Sequence, residues 1–234
     1  MSDYRNVLSL LIAACLLQVA GGLLGVVTPL DLEAAGSTPV EIGFVAAAFA
    51  GGFMLGAMRS PDLIARIGHI RTFSAAAALA AASCLLLYMQ VDPIAWSIAR
   101  FVMGAAIAAQ FAAVESWITD ATPKVSRGGV LGLYHVFTKF GLMAGPFLAL
   151  GLAPLAPQPY MWAALFLILS LIPVTVTRRD QPAPPTTEPL PIRALIRLSP
   201  AASFGAFVAG VANSGLLAML PLYAISLDPN DPIG

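Results

Sequence analysis

Gly22-Leu-Leu-Gly-Val-Val-Thr-Pro29-Leu30 comes back near the end of the chain as Gly215-Leu-Leu-Ala-Met-Leu-Pro221-Leu222. Each closes an apolar run with Pro-Leu, and Pro221 follows Pro29 by 192 positions in a chain of 234 residues. Downstream of the first copy, Ile42-Gly43 finds a counterpart in Ile233-Gly234, at an offset of 191. Chance is the competing explanation, because glycine and proline are frequent in apolar helices. Read as a repeat, the match means that the last apolar run restarts the first, with one complete structural unit between them.

The composition says what kind of unit. Hydrophobic residues make up 59% of the chain and charged residues 10%, and the mean hydropathy is +0.85. Soluble domains carry roughly 25% charged residues, so this chain lacks the charge to coat a water-soluble globule. Disorder is excluded too, since its signature is low hydrophobicity. Twelve basic residues balance 12 acidic ones, which gives no reason to expect a nucleic-acid partner. The class is integral membrane, with the lipid bilayer as its first partner.

Apolar stretches long enough to span a bilayer, around 20 residues each, fall at about 6–30, 40–58, 72–91, 94–118, 129–153, 160–177 and 201–226. Backbone groups in hydrocarbon must be satisfied within the segment, so each stretch should be a helix. The expected fold is an all-α polytopic membrane protein. Ile12-Ala13-Ala14-Cys15 has the look of a lipoprotein cleavage box, but the apolar run continues past it to Leu30, where a cleaved signal would stop. Cys15 and Cys84 are expected to be small buried hydrophobes.

Arg5, Arg59, Arg66, Arg71, Lys124, Arg127, Arg178, Arg179, Arg193 and Arg197 all lie before the first span or in alternate loops. The opposite loops and the tail 227–234 contain no Lys or Arg, but do carry Asp31, Glu33, Asp92, Asp228 and Asp231. The positive-inside rule therefore puts the N-terminus in the cytoplasm, with the protein in the cell's inner or plasma membrane. The segment 178–200 is long, polar and proline-rich, which predicts an extended linker. The chain thus divides into a six-helix unit at 1–177, a linker at 178–200, and a seventh helix with the start of an incomplete second half at 201–234.

A parallel repeat of six helices resembles the major facilitator superfamily, whose members join two six-helix halves by a cytoplasmic loop. The resemblance covers the whole chain, as the first half, the central loop and the first helix of the second half. The family's helix 2–3 loop, Gly-x-x-x-Asp-(Arg/Lys)-x-Gly-(Arg/Lys)-(Arg/Lys), aligns with Pro61-Asp62-Leu-Ile-Ala65-Arg66-Ile67-Gly68-His69-Ile70-Arg71. Arg66 and Gly68 match. Ala65 replaces the carboxylate, a role open to Asp62, which is spaced to pair with Arg66 at i,i+4. The resemblance implies that Asp62, Arg66, Gly68 and Arg71 latch the cytoplasmic side; an ordinary positive-inside loop is the alternative. Arg100-Phe-Val-Met-Gly104 is similar to the helix 4 pattern of many proton-coupled members. Gly141-Leu-Met-Ala-Gly145-Pro146 is similar to the first part of the helix 5 motif of the family's antiporters, although Ala149-Leu150 stand where that motif closes on glycines. Gly104, Gly141, Gly145 and Pro146 would then serve conformational change and lean the reading towards efflux by antiport. Plain helix packing explains the same small residues. Glu115-Ser116-Trp117 at the end of helix 4 is similar to a bacterial subfamily of these transporters.

Four ionisable residues fall within spans: Arg100, Glu115, His135 and Lys139. A charge at a helix centre is unfavourable by roughly 2.5–3.5 kcal/mol even on insertion scales, so such residues are rarely idle. His135, Thr138 and Lys139 make a polar strip on helix 5. At about 100° per residue, Arg100, Glu115 and Gln110 project from one half of helix 4. Both strips are expected to face an aqueous cavity, with Gln18 on helix 1 and Asn213 on helix 7 as neutral ligands. Each residue also has a plainer reading: Glu115 as an interfacial group, His135 as a packing histidine, Arg100 as a tie to carbonyls, Gln18 and Asn213 as packing residues.

The resulting expectation is a secondary transporter of a small solute working by alternating access, with Glu115 carrying a proton, Arg100 setting its affinity and Lys139 contacting substrate. No cofactor or metal is expected, and the parent protein is expected to act as a monomer, this chain being slightly over half of it. An enzyme would show a motif such as HExxH or GxSxG, and neither is present. A seven-helix receptor would have its N-terminus outside, against the charge asymmetry. A non-transporting assembly partner stays open.

Overall fold

A computed structural model describes residues 2–89, 91–152, 159–177 and 192–227. Helices account for nearly all of them: α1 (Ser2–Ala34), α2 (Pro39–Ile67), α3 (His69–Met89), α4 (Pro93–Ala121), α5 (Arg127–Leu152), α6 (Pro159–Leu169), α7 (Leu171–Thr175), α8 (Ile192–Leu198) and α9 (Pro200–Leu227). Five of these, α1 to α5, are long and apolar enough to cross a membrane by length and composition. No strand occurs among the described residues.

Short polar sequences set the helix ends. Thr38 and Glu41 form a capping box before α2: the Glu41 N–H donates to the Thr38 hydroxyl at 3.3 Å, and the Thr38 N–H donates to the Glu41 carboxylate at 2.7 Å. Asp92 caps α4 by accepting from the Ala95 N–H at 2.7 Å. Both caps satisfy donors that the first helical turn leaves without partners. At the far end of α2, Gly68 adopts φ +83° and donates its N–H to the Ile64 carbonyl at 2.8 Å, a backbone state suited to glycine alone.

Three expectations change here. The stretch 59–71, read as a loop because of Arg59, Pro61 and Arg66, is helical through Ile67, and the only turn is at Gly68. Asp62 and Arg66 share that helix but form no ion pair among the described residues; exposed pairs gain too little to hold two long side chains together. The sixth span, α6 and α7, keeps helical backbone at Ser170 (φ −61°, ψ −21°), whose N–H donates to the Phe166 carbonyl at 3.0 Å and whose hydroxyl donates to the Leu167 carbonyl at 2.6 Å; Pro173 lies in α7. Within the proposed extended linker, 192–198 forms α8; the rest of it, 178–191, and Ile233-Gly234 lie outside the described residues.

Two helix pairs form the frame, α2 against α4 and α1 against α5, with α3 packed between α4 and α6. Glycines allow the first two to approach. A Cβ on Gly22 would strike the Leu142 backbone, and one on Gly145 the backbone of Gly22 and Leu23, while Gly141 abuts Cys15. On the other pair Gly52 and Gly56 face Phe101 and Ala105, and Gly104 faces the backbone of Phe49 and Phe53. This is the small-residue packing that membrane helices use. The core falls into two clusters, one around Leu23, Met103, Trp96 and Leu167, the other around Leu10, Phe73, Trp117 and Tyr134. Phe44 and Met54 on α2, and Phe140, Met143 and Phe147 on α5, are exposed. Apolar patches of that extent suit hydrocarbon or another helix rather than water. Cys84 is buried and Cys15 only partly so; both are free thiols.

Candidate functional site

A cavity of about 290 Å³ opens between α1, α2, α4 and α5. Pairing α1 with α5 and α2 with α4 places residues more than a hundred positions apart on one wall. Gln18 and Thr28 come from α1, Phe49 and Phe53 from α2, Arg100 and Phe111 from α4, and Lys139 from α5. Three of the residues singled out in the sequence, Gln18, Arg100 and Lys139, therefore share one space.

The environment of Arg100 explains how a cation is held there. Its guanidinium carbon lies 4.5 Å from the Phe49 ring centroid, a cation–π arrangement. Nη1 reaches the Met103 sulfur at 3.5 Å, a weak acceptor, and Nε is buried without a hydrogen-bond partner. Among the described residues Arg100 forms no ion pair. The hydroxyl of Thr28, also on the cavity wall, is buried and unpartnered. Among the described residues the lining contains no Asp or Glu.

The other sequence candidates fall elsewhere. Glu115 does not line the cavity; it is exposed and accepts a 2.9 Å hydrogen bond from the Tyr134 hydroxyl. Sharing a helix face with Arg100 misled, because fifteen residues of α-helix also translate about 22 Å along the axis. Arg100 therefore sits too far away to set the proton affinity of Glu115. Gln110 is fully buried rather than cavity-facing, with neither amide atom bonded among the described residues. His135 is exposed, its ring tilted against that of Tyr134 with centroids 5.2 Å apart, and off the cavity. The side chain of Asn213 lies outside the described residues. Asp62, Arg66 and Arg71 are exposed at the α2–α3 end, where Gly68 makes the turn. Gly104, Gly141 and Gly145 are packing contacts, and Pro146 lies half-buried within a continuous α5.

A second polar cluster gathers where α3, α4 and α5 meet. His69, read as a loop residue, instead opens α3 and is fully buried. Its Nε2 lies 3.1 Å from the Ser116 hydroxyl, and its ring centroid lies 6.1 Å from that of Trp117. The three consecutive residues Glu115, Ser116 and Trp117 thus reach two neighbouring helices, the first bonding Tyr134 on α5 and the other two meeting His69 on α3. Near the other end of the bundle the Tyr160 hydroxyl donates to Asp31 at 2.8 Å. Tyrosine partners leave no periodic mark in a sequence, and both bonds went unanticipated.

The model of the Major Facilitator Superfamily matches residues 10–230. The chain belongs to that superfamily. It is similar to an uncharacterized MFS-type transporter, YcaD, of Salmonella heidelberg, with 27% identity over 95% of this chain and 59% of the relative. YcaD of Salmonella typhimurium and the MFS-type transporter Ent638_1421 of Enterobacter sp. are each 26% identical over the same shares. The chain thus spans about three-fifths of the length of these relatives. Membership makes it an integral membrane protein of a transporter family and not an enzyme.

Proposed function

We propose that this chain carries the N-terminal six-helix half (1–177), the linker (178–200) and the first helix of the second half of a proton-coupled secondary transporter. In this reading the protein moves a small solute across the cell membrane by alternating access, as a monomer with its N-terminus in the cytoplasm. The observation that carries the reading is the convergence of Gln18, Arg100 and Lys139 on one cavity between four helices. Charged groups inside a helical bundle that face a cavity mark solute or ion pathways.

Glu115 supplies the proton site in this scheme, and Tyr134 is the partner that senses its charge. A carboxylate accepts a stronger bond than a carboxylic acid does. Protonation of Glu115 therefore loosens the tie between α4 and α5. The similarity of Gly141-Leu-Met-Ala-Gly145-Pro146 to the antiporter motif leans the reading towards export in exchange for protons. The test is flux in proteoliposomes by the protein at its full genomic length, with and without an imposed proton gradient. Gradient-driven flux should be lost in Glu115→Gln while downhill solute exchange persists; gradient-driven flux at the unaltered rate removes Glu115 from the proton pathway. A receptor or assembly partner would show no flux under any gradient.

A further inference from the structure

We propose that the cavity between α1, α2, α4 and α5 takes amphipathic organic anions, carboxylates or sulfonates with an apolar or aromatic body. The proposal rests on the reading of that cavity as the solute site and adds its chemical class.

Charge is the first ground. Arg100 and Lys139 both line the cavity, and among the described residues no Asp or Glu does. Two cations that line one cavity, with no counter-charge among its described lining residues, give it a positive potential that favours an anionic occupant. A cationic solute would meet two like charges and no acceptor carboxylate. A zwitterion would leave its ammonium in the same position.

The state of Arg100 is the second ground. Its guanidinium carries five N–H donors, and the one hydrogen bond it makes among the described residues is from Nη1 to a thioether at 3.5 Å. Among the described residues Nε is buried and unpartnered, and so is the hydroxyl of Thr28, which also lines the cavity. Buried donors without partners are unusual in native proteins. An oxyanion satisfies such donors, and a guanidinium fork matches a carboxylate or sulfonate better than a neutral carbonyl.

The apolar wall supplies the third ground. Phe49, Phe53 and Phe111 follow one another with ring centroids 6.4 and 6.3 Å apart, so Arg100, 4.5 Å from the Phe49 centroid, sits against a continuous aromatic surface. An inorganic anion such as chloride would gain nothing from that surface. A volume of about 290 Å³ lies at the small end of the range for small-molecule sites.

The experiment uses the chain in lipid nanodiscs and equilibrium dialysis with benzoate and 1-naphthoate, against benzylamine and 1-naphthylmethylamine. Both acids should bind saturably and at least tenfold more tightly than the matched amines. Lys139→Gln should weaken the acids about tenfold, equivalent to about 1.4 kcal/mol, and Lys139→Arg should keep most of the affinity. Lys139 is exposed, so these variants leave the bundle's packing alone, whichever way Arg100→Gln behaves. Amines that bind as tightly as the acids, acid binding indifferent to Lys139→Gln, or no saturable acid binding below about 10 mM overturns the proposal. Binding without flux by the protein at its full genomic length counts against the transporter reading instead. Flux of a cation through the same cavity counts against the anion class alone.

Discussion

The Tyr134 hydroxyl donates a 2.9 Å hydrogen bond to Oε1 of Glu115, and this bond ties α5 to α4, two helices that otherwise touch little. Tyr134 is almost wholly buried, whereas Glu115 is exposed. Tyr134→Phe should therefore destabilise the folded chain by about 1 kcal/mol, the net worth of one hydrogen bond. Glu115→Gln should cost less, because an amide oxygen still accepts. Unfolding of Tyr134→Phe, Glu115→Gln and the double variant in detergent tests the pairing. The double variant should be no less stable than Tyr134→Phe alone; costs that simply add would mean that the two residues act independently.

Gly145 and Gly22 bring α5 and α1 to backbone contact. Gly145→Val should separate the pair and abolish a monodisperse folded peak in size-exclusion chromatography. Gly132, on the same helix, has open space where its Cβ would be. Gly132→Ala should raise stability by about 0.5–1 kcal/mol through backbone entropy. Opposite signs on one helix distinguish packing from helix propensity.

Gly68 ends α2 at φ +83° and ψ +170°, a region that side chains other than glycine's enter at a penalty of about 1–3 kcal/mol. Gly68→Ala should lower the thermal midpoint even though it sits outside the cavity. A midpoint that does not move would mean that the turn adapts to the new residue.

The Thr38–Glu41 capping box is exposed and local. Thr38→Ala should destabilise by about 1 kcal/mol and increase hydrogen exchange in the first turn of α2 while leaving α4 and α5 unaffected. Exchange that rises across the whole bundle would show a wider role for this cap.

Helices α1 to α5 were legible because each is a long apolar run and lipid leaves the backbone no other way to satisfy itself. The end of α2 was not, because Arg59, Pro61 and Arg66 look like loop residues one at a time, whereas a helix emerging from a membrane tolerates all three. For the cavity, residue type was legible and arrangement was not. Arg100 and Lys139 stand out as charges in apolar runs, but only the pairing of α1 with α5 brings Lys139 and Gln18 to one wall with Arg100. The projection of helix 4 put Arg100 and Glu115 on one face and was silent about their axial distance. His69 carried no signal of burial, since its partner Ser116 is 47 residues away.

The glycine contacts of α1 with α5 and of α2 with α4 have a mechanical consequence. Where two backbones touch, no side chain lies between them to change rotamer, so any relative motion of the pair has to give up direct backbone packing. Each pair is therefore expected to move as one beam. A pull at Lys139 on α5 would then be carried to α1, and one at Arg100 on α4 to α2. A solute gripped by both residues would pull on the two beams together, so the compliant parts of the machine must be the joints between beams.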